Sequence, residues 1–156
     1  MDALQRTKST QDHQERAGDT EQPVILVAGA TGTVGRHLVS ELLERGAAVR
    51  ALTRNASRAD LPDGAEVVEG DLTRPETLEP ALDGVAGLHL ITIDGDGFAP
   101  LQTGPEIADL AAAAGVQRVT VLWNGESGPV EQAVEDSGLA WTHLQAQEFM
   151  GNALEW

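Results

Sequence analysis

The sequence predicts an α/β domain: a doubly wound, parallel sheet of about six strands with helices on both faces. Three observations carry this. Short, near-continuous apolar runs alternate with segments of helical periodicity from Val24 onward. Runs of that kind suit strands buried on both faces, as in a parallel sheet. The first run leads into a glycine-rich turn that opens a helix, in Val24-Ile25-Leu26-Val27-Ala28-Gly29-Ala30-Thr31-Gly32-Thr33-Val34-Gly35. Right-handed crossovers between such units wind the sheet in both directions.

The elements follow in order. Residues 1–22 are polar, lack apolar periodicity and read as a disordered tail; residues 23–156 form the domain. Val24–Ala28 is the first strand. Val34, Leu38, Leu42 and Leu43 form one helical stripe that ends near Gly46. Ala48–Thr53 and Ala65–Glu69 are the second and third strands. Thr73-Arg74-Pro75-Glu76 fits a capping box, with Thr73 as cap, and starts a helix to about Leu82. Gly87–Ile93 is the fourth strand. Ile107, Leu110, Ala111 and Ala114 mark a helix stopped by Gly115. Arg118–Trp123 is the fifth strand, Pro129 to about Ser137 a helix with proline in its first turn, and Leu139–Leu144 the sixth strand. A last helix starts at Gln147.

Composition narrows the function. The chain has 156 residues, no cysteine, no tyrosine and one lysine, Lys8. Without cysteine there is no disulfide framework, thiolate metal site or cysteine nucleophile, and a reducing, cytoplasmic location fits. The formal net charge of -15 disfavours nucleic acid and anionic lipid as partners. No apolar run is long enough for a membrane span or resembles a signal peptide. The Asn55-Ala56-Ser57 sequon reads as chance.

The glycine loop is the main functional signal. Gly29 permits a sharp turn, Gly32 lets backbone approach a pyrophosphate, and Gly35 lets the helix pack on the strand. The first helical turn then offers its N–H groups to an anion, and Thr31 and Thr33 add hydroxyls. A tight turn with no ligand would use the same glycines. A P-loop is excluded, because Arg36-His37 follows Gly35 where Lys-Ser/Thr is required. After the second strand comes Arg54-Asn55-Ala56-Ser57-Arg58 in place of the acid that would hold ribose hydroxyls. Arg54 and Arg58 suit a 2′-phosphate, so NADP(H) is favoured over NAD(H); the bland reading is two solvated loop arginines. Asp71 sits just past the end of the third strand, where an adenine edge can lie; the bland reading is a loop acid preceding the Thr73 cap.

Other groups weigh less. His143 is a weak candidate general acid, with a hydrogen-bonded sheet histidine the simpler reading. Asp94-Gly95-Asp96-Gly97 begins like a calcium loop, but Pro105 stands at its twelfth position, so no metal is expected; it reads as a mobile loop beside the cofactor. Glu126, Glu131 and Glu135 read as solvated acids, and Trp123 and Trp141 as core.

Taken together, GATGTVG (29–35), ALTRN (51–55), the Gly-Asp-Leu of 70–72, AAAAGVQRVTVL (111–122), SGLAWTHL (137–144) and EFMGNALEW (148–156) resemble the NmrA-like branch of the atypical short-chain dehydrogenase/reductases. The resemblance implies a Rossmann domain binding NADP(H) at the carboxyl ends of the strands. It implies Gly29, Thr31, Gly32, Thr33 and Val34 at the pyrophosphate, with Gly35 closing the loop. Arg54 falls at the 2′-phosphate, Asp71 and Leu72 at the adenine, and Thr92 and Ile93 on the ribose side. Trp123, Asn124, Gln145 and Phe149 fall near the nicotinamide or substrate. The Tyr-Lys pair of the wider superfamily is missing, which leaves Asn124, His143 or water as proton source. Chains of the resembled branch are longer, so this one looks truncated, lacking most of the substrate-binding segment. Its apolar end at Phe149, Met150, Leu154 and Trp156 is then expected to be covered by a second copy. The expectation is an oxidoreductase for a small carbonyl, quinone or enone; the alternatives are a non-catalytic dinucleotide sensor or a dimerising module.

Overall fold

The computed structural model describes residues 22–95, 99–123 and 127–146. Six parallel strands form one sheet: β1 (Val24–Val27), β2 (Ala48–Thr53), β3 (Glu66–Glu69), β4 (Val85–Ile91), β5 (Arg118–Trp123) and β6 (Ala140–Gln145). Their order is β3-β2-β1-β4-β5-β6. The chain leaves β1 for β2 on one side and later returns to place β4 on the other. The crevice at such a switch point, outside the carboxyl ends of β1 and β4, is where open α/β sheets bind ligands.

Helix α1 (Thr33–Glu44) covers one face, and α2 (Glu79–Leu82), α3 (Gly104–Ala113) and α4 (Pro129–Asp136) cover the other. The two strands β1 and β2 serve both layers. Leu26 joins the core beneath α2, α3 and α4, while Val27, the next residue, joins the core beneath α1. This two-sided burial explains the unbroken apolar run of so short a strand. Each Val or Leu fully removed from water contributes about 1.5–3 kcal/mol.

In α1 the deepest residues are Gly35 and Val39, with Leu38, Leu42 and Leu43 beside them. The stripe is therefore centred on a glycine, which carries no hydrophobic signal, and Val34 is left for the cleft. The capping box at Thr73 does not form. Both the Thr73 amide and hydroxyl donate to Asp71 Oδ1, at 2.9 and 2.8 Å, and the chain makes a 3-10 turn at Pro75–Thr77 before the short α2.

Two charged residues are structural. Arg50 donates to Glu66 Oε2 at 2.8 Å and to the Ala81 and Asp83 carbonyls at 2.9 and 2.7 Å, tying the end of α2 to the sheet. Glu131 is buried, contrary to its reading as a solvated acid. Its Oε2 accepts the Gly128 amide at 3.0 Å and caps the start of α4. There α3 and α4 touch through backbone: a Cβ on Gly104 would lie 2.6 Å from the Pro129 carbonyl oxygen. Trp141, expected in the core, is 44% exposed because β6 is the last strand among the described residues. The helix expected from Gln147 lies outside the described residues.

Candidate functional site: a cleft at the switch point

A cleft of about 640 Å³ opens at the carboxyl ends of the central strands. The glycine loop lines it through Gly29, Thr31, Gly32, Thr33, Val34 and Gly35. Gly29 has φ 65, the left-handed conformation that favours glycine, and a Cβ there would meet Ile91 Cδ1 at 3.1 Å. The Gly32 amide donates to the Gly29 carbonyl at 2.9 Å, closing the turn. A Cβ on Gly35 would fall 2.1 Å from that same oxygen. The three glycines thus serve one feature: a backbone turn folded against the first turn of α1.

That helix start has Gly32 as N-cap, no side chain capping it and no acid in its first turn. A 12-residue helix with an uncapped N-terminus at a cleft presents orphan N–H groups and the positive end of its dipole. This is a fit for a pyrophosphate.

The opposite end of the cleft is built by the turns after β2 and β3. Arg54, Asn55 and Arg58 line it, with Thr53 at the tip of β2, and so do Gly70, Asp71 and Leu72. Burial pushes the Asp71 carboxyl up, but the Thr73 hydroxyl and amide, then the Arg74 and Arg54 charges, outweigh it and hold the pKa below the ordinary 3.8. Asp71 therefore stays ionised, and its Oδ1 is committed to its own turn. The guanidinium of Arg54 lies against Gly95: a Cβ on Gly95 would be 3.6 Å from its Nη2. The turn after β2 and the loop after β4 thus approach each other at this end.

Several residues lie elsewhere than expected. Ile93 lines the cleft, together with Ile91, Asp94 and Gly95, but Thr92 does not. The fourth strand ends at Ile91, and Thr92 is buried with its hydroxyl 3.5 Å from the Leu122 carbonyl. Alternation along the chain sends Ile91 and Ile93 to the cleft and Thr92 to the other side. At β5 the lining residue is Leu122, and Trp123 is half-buried beyond it. Gln145 is exposed at the tip of β6, paired in register with Trp123. His143 does not line the cleft: its Nδ1 lies 3.7 Å from Glu135 Oε1 on α4, and its ring rests on Trp141 with centroids 4.6 Å apart. Its Nε2 is buried and makes no hydrogen bond among the described residues, and the ring is turned toward Glu135 and Trp141. Asn124, Phe149 and the apolar end at Met150, Leu154 and Trp156 lie outside the described residues. Sequence reasoning missed Leu52, Ile91 and Leu122, apolar strand ends that resemble core.

A dinucleotide-binding α/β protein is the class that this sheet, loop and cleft define. The chain belongs to the NAD(P)H-binding family, whose profile matches residues 29–153. It is 36% identical over 148 residues to the (4-alkanoyl-5-oxo-2,5-dihydrofuran-3-yl)methyl phosphate reductase of Streptomyces griseus subsp. griseus, covering 85% of this chain and 50% of that one. It is 34% identical over 150 residues to the NAD(P)H azoreductase of Xenophilus azovorans, covering 84% and 50%. The crystal structure of Citrobacter sp. triphenylmethane reductase complexed with NADP(H) superposes with a TM-score of 0.69 at 26% identity, covering 83% of this chain and 51% of that one. The chain spans about half the length of these relatives. Among the described residues no helix is long and apolar enough to cross a membrane.

Proposed function

We propose that the chain binds NADP(H) in this cleft, in preference to NAD(H), and serves an atypical short-chain oxidoreductase acting on a small carbonyl, quinone or enone. The observation that carries the reading is the pairing of two anion-seeking features in one cleft. An uncapped helix start lies at one end and Arg54 and Arg58 at the other. Thr53 and Arg54 stand where an acid would favour the ribose hydroxyls of NAD. The reductases among its relatives support the reaction class.

In this reading Gly29, Thr31, Gly32, Thr33 and Val34 hold the pyrophosphate, and Arg54 and Arg58 hold the 2′-phosphate. Gly70, Asp71 and Leu72 bound the adenine, and Ile91, Ile93 and Leu122 shield the ribose and nicotinamide side from water. Bound NADPH supplies the hydride for reduction of an acceptor. The chain's part is to bind and orient. His143 is engaged on the α4 side and the sequence has no tyrosine, which leaves Asn124 or water to deliver the accompanying proton.

The same lack of tyrosine, with Lys8 the only lysine, favours one second reading: a dinucleotide sensor without turnover. Trp141 and Leu144, 44% and 43% exposed on β6, support docking of a second copy at that edge. Light scattering tests the dimer, and a monomer at micromolar concentration would refute it. Steady-state NADPH oxidation with a panel of quinones, enones and aldehydes tests the reaction. Turnover with at least one acceptor is expected, whereas tight NADPH binding with no turnover on any would select the sensor.

A further inference from the structure

The two arginines at the 2′-phosphate end sit on a short turn, and something must hold that turn. The 3-10 segment Ala56–Arg58 ends in Arg58. Its first amide, Ala56 N–H, has no partner within so short a turn. The N-cap residue Asn55 supplies none: its Oδ1 is taken by the Ser57 hydroxyl at 2.7 Å. The acceptor comes from another strand. Glu69 ends β3 directly opposite Thr53 in the β2–β3 register, and its Oε1 accepts the Ala56 amide at 2.9 Å. The cap on the arginine turn is therefore an acid thirteen residues further along the chain.

We propose that Glu69 is a positioning residue for dinucleotide specificity. By capping the Ala56 amide it fixes the turn that aims Arg58, and with it the neighbouring Arg54, at the 2′-phosphate. This rests on the NADP(H) reading of the cleft. Glu69 does not line the cleft and acts through the backbone of the turn.

Two effects of Glu69 on a 2′-phosphate oppose each other, which makes the idea testable. As a cap it favours the phosphate by ordering the arginines. As an exposed negative charge it disfavours the phosphate, weakly, through solvent and salt. Glu69→Gln keeps a carbonyl acceptor and removes the charge, while Glu69→Ala removes both. Capping predicts that Glu69→Ala weakens NADPH binding about fivefold, a typical consequence of one lost hydrogen bond, and changes NADH binding by less than about twofold. Glu69→Gln retains wild-type affinity or binds slightly more tightly. In an Arg58→Ala background, Glu69→Ala adds little, because the group it positions has gone.

Calorimetric titration of NADPH and NADH into wild type, both Glu69 variants and the double variant decides the matter, with melting temperature recorded for each. A purely structural cap would lower the melting temperature and leave the NADPH-to-NADH ratio at the wild-type value, which overturns the proposal. Tighter NADPH binding in both Glu69 variants also overturns it, in favour of simple repulsion. A wild type with no preference for NADPH refutes the NADP(H) reading itself and this inference with it. A wild-type preference left undiminished by Glu69→Ala refutes the inference alone.

Discussion

Gly35→Ala sets two rules of physical chemistry against each other. Gly35 is the third residue of α1, and helix propensity alone predicts that alanine there stabilises the protein by about 1 kcal/mol. The surroundings predict the reverse. The new Cβ would lie 2.1 Å from the Gly29 oxygen, 2.7 Å from its carbonyl carbon and 2.9 Å from Ala30 Cα. All three are backbone atoms, so no side chain can rotate away. To restore ordinary contact the helix must lift from the loop by roughly 1 Å, and overpacking of this kind costs about 1–3 kcal/mol or more. It also breaks the packing of Val39, which is fully buried one turn on. The net expectation is a loss of about 2 kcal/mol, or roughly 6–10 °C in melting temperature for a domain of this size. Because the loop is pushed toward the cleft, NADPH affinity should fall at least about tenfold. Gly46→Ala is the control. It has φ +77 and nothing within 4 Å, so it should cost about 1 kcal/mol of backbone strain and leave the affinity unchanged. Thermal unfolding followed by circular dichroism measures both. A Gly35→Ala protein that melts at or above the wild-type temperature would refute the argument.

Arg50→Ala removes three hydrogen bonds from a guanidinium whose side chain is 13% exposed, and leaves two carbonyls at the end of α2 without it. A loss of about 2–3 kcal/mol in urea unfolding is expected, with dinucleotide affinity unchanged. Burial lowers the pKa of His89 from its ordinary 6.5, and its Nδ1 pairs with Thr120 Oγ1 at 2.9 Å. Above pH 6.5 both folded and unfolded forms are neutral there. Below it the unfolded chain takes up a proton that the folded protein resists, so stability falls as pH drops. His89→Gln should flatten that slope in urea midpoints recorded from about pH 7.5 to 5. Asp71, with its pKa below 3.8, contributes stability above that pH and loses it as pH falls through the folded value. Asp71→Asn should therefore narrow the gap to wild type only at the acid end, which acid-unfolding curves read directly.

The parts of the fold that were legible in the sequence are those where two-sided burial writes itself into composition. Ala48–Thr53 and Arg118–Trp123 are strands with the same bounds in sequence and structure, because each is a short apolar run with polar or glycine stops. The glycine loop was legible because positive φ and backbone contact leave few residues but glycine. What was not legible depended on tertiary geometry and on side-chain partners that no local pattern names. Thr73 caps nothing because Asp71, two residues earlier, takes its hydroxyl and amide. Glu131 is buried because Gly104 lets α3 approach its helix, and no local pattern records that. The resemblance places Thr92 and Ile93 together on the ribose side, but alternation along the extended chain turns them to opposite sides. The cap on the arginine turn is the clearest case. Its acceptor, Glu69, lies on the next strand and carries no sign of the role in its neighbours.

The central claim is that the cleft is a seat for a 2′-phosphorylated dinucleotide, and one titration tests it most directly. NADPH, NADP, NADH and NAD are titrated calorimetrically into wild type and Arg54→Ala at a fixed salt concentration. The account predicts that the two phosphorylated forms bind the wild type at least about tenfold more tightly than the other two, and that Arg54→Ala removes most of this difference while retaining residual binding through the glycine loop. Equal affinity for all four dinucleotides, or a preference untouched by Arg54→Ala, would contradict it.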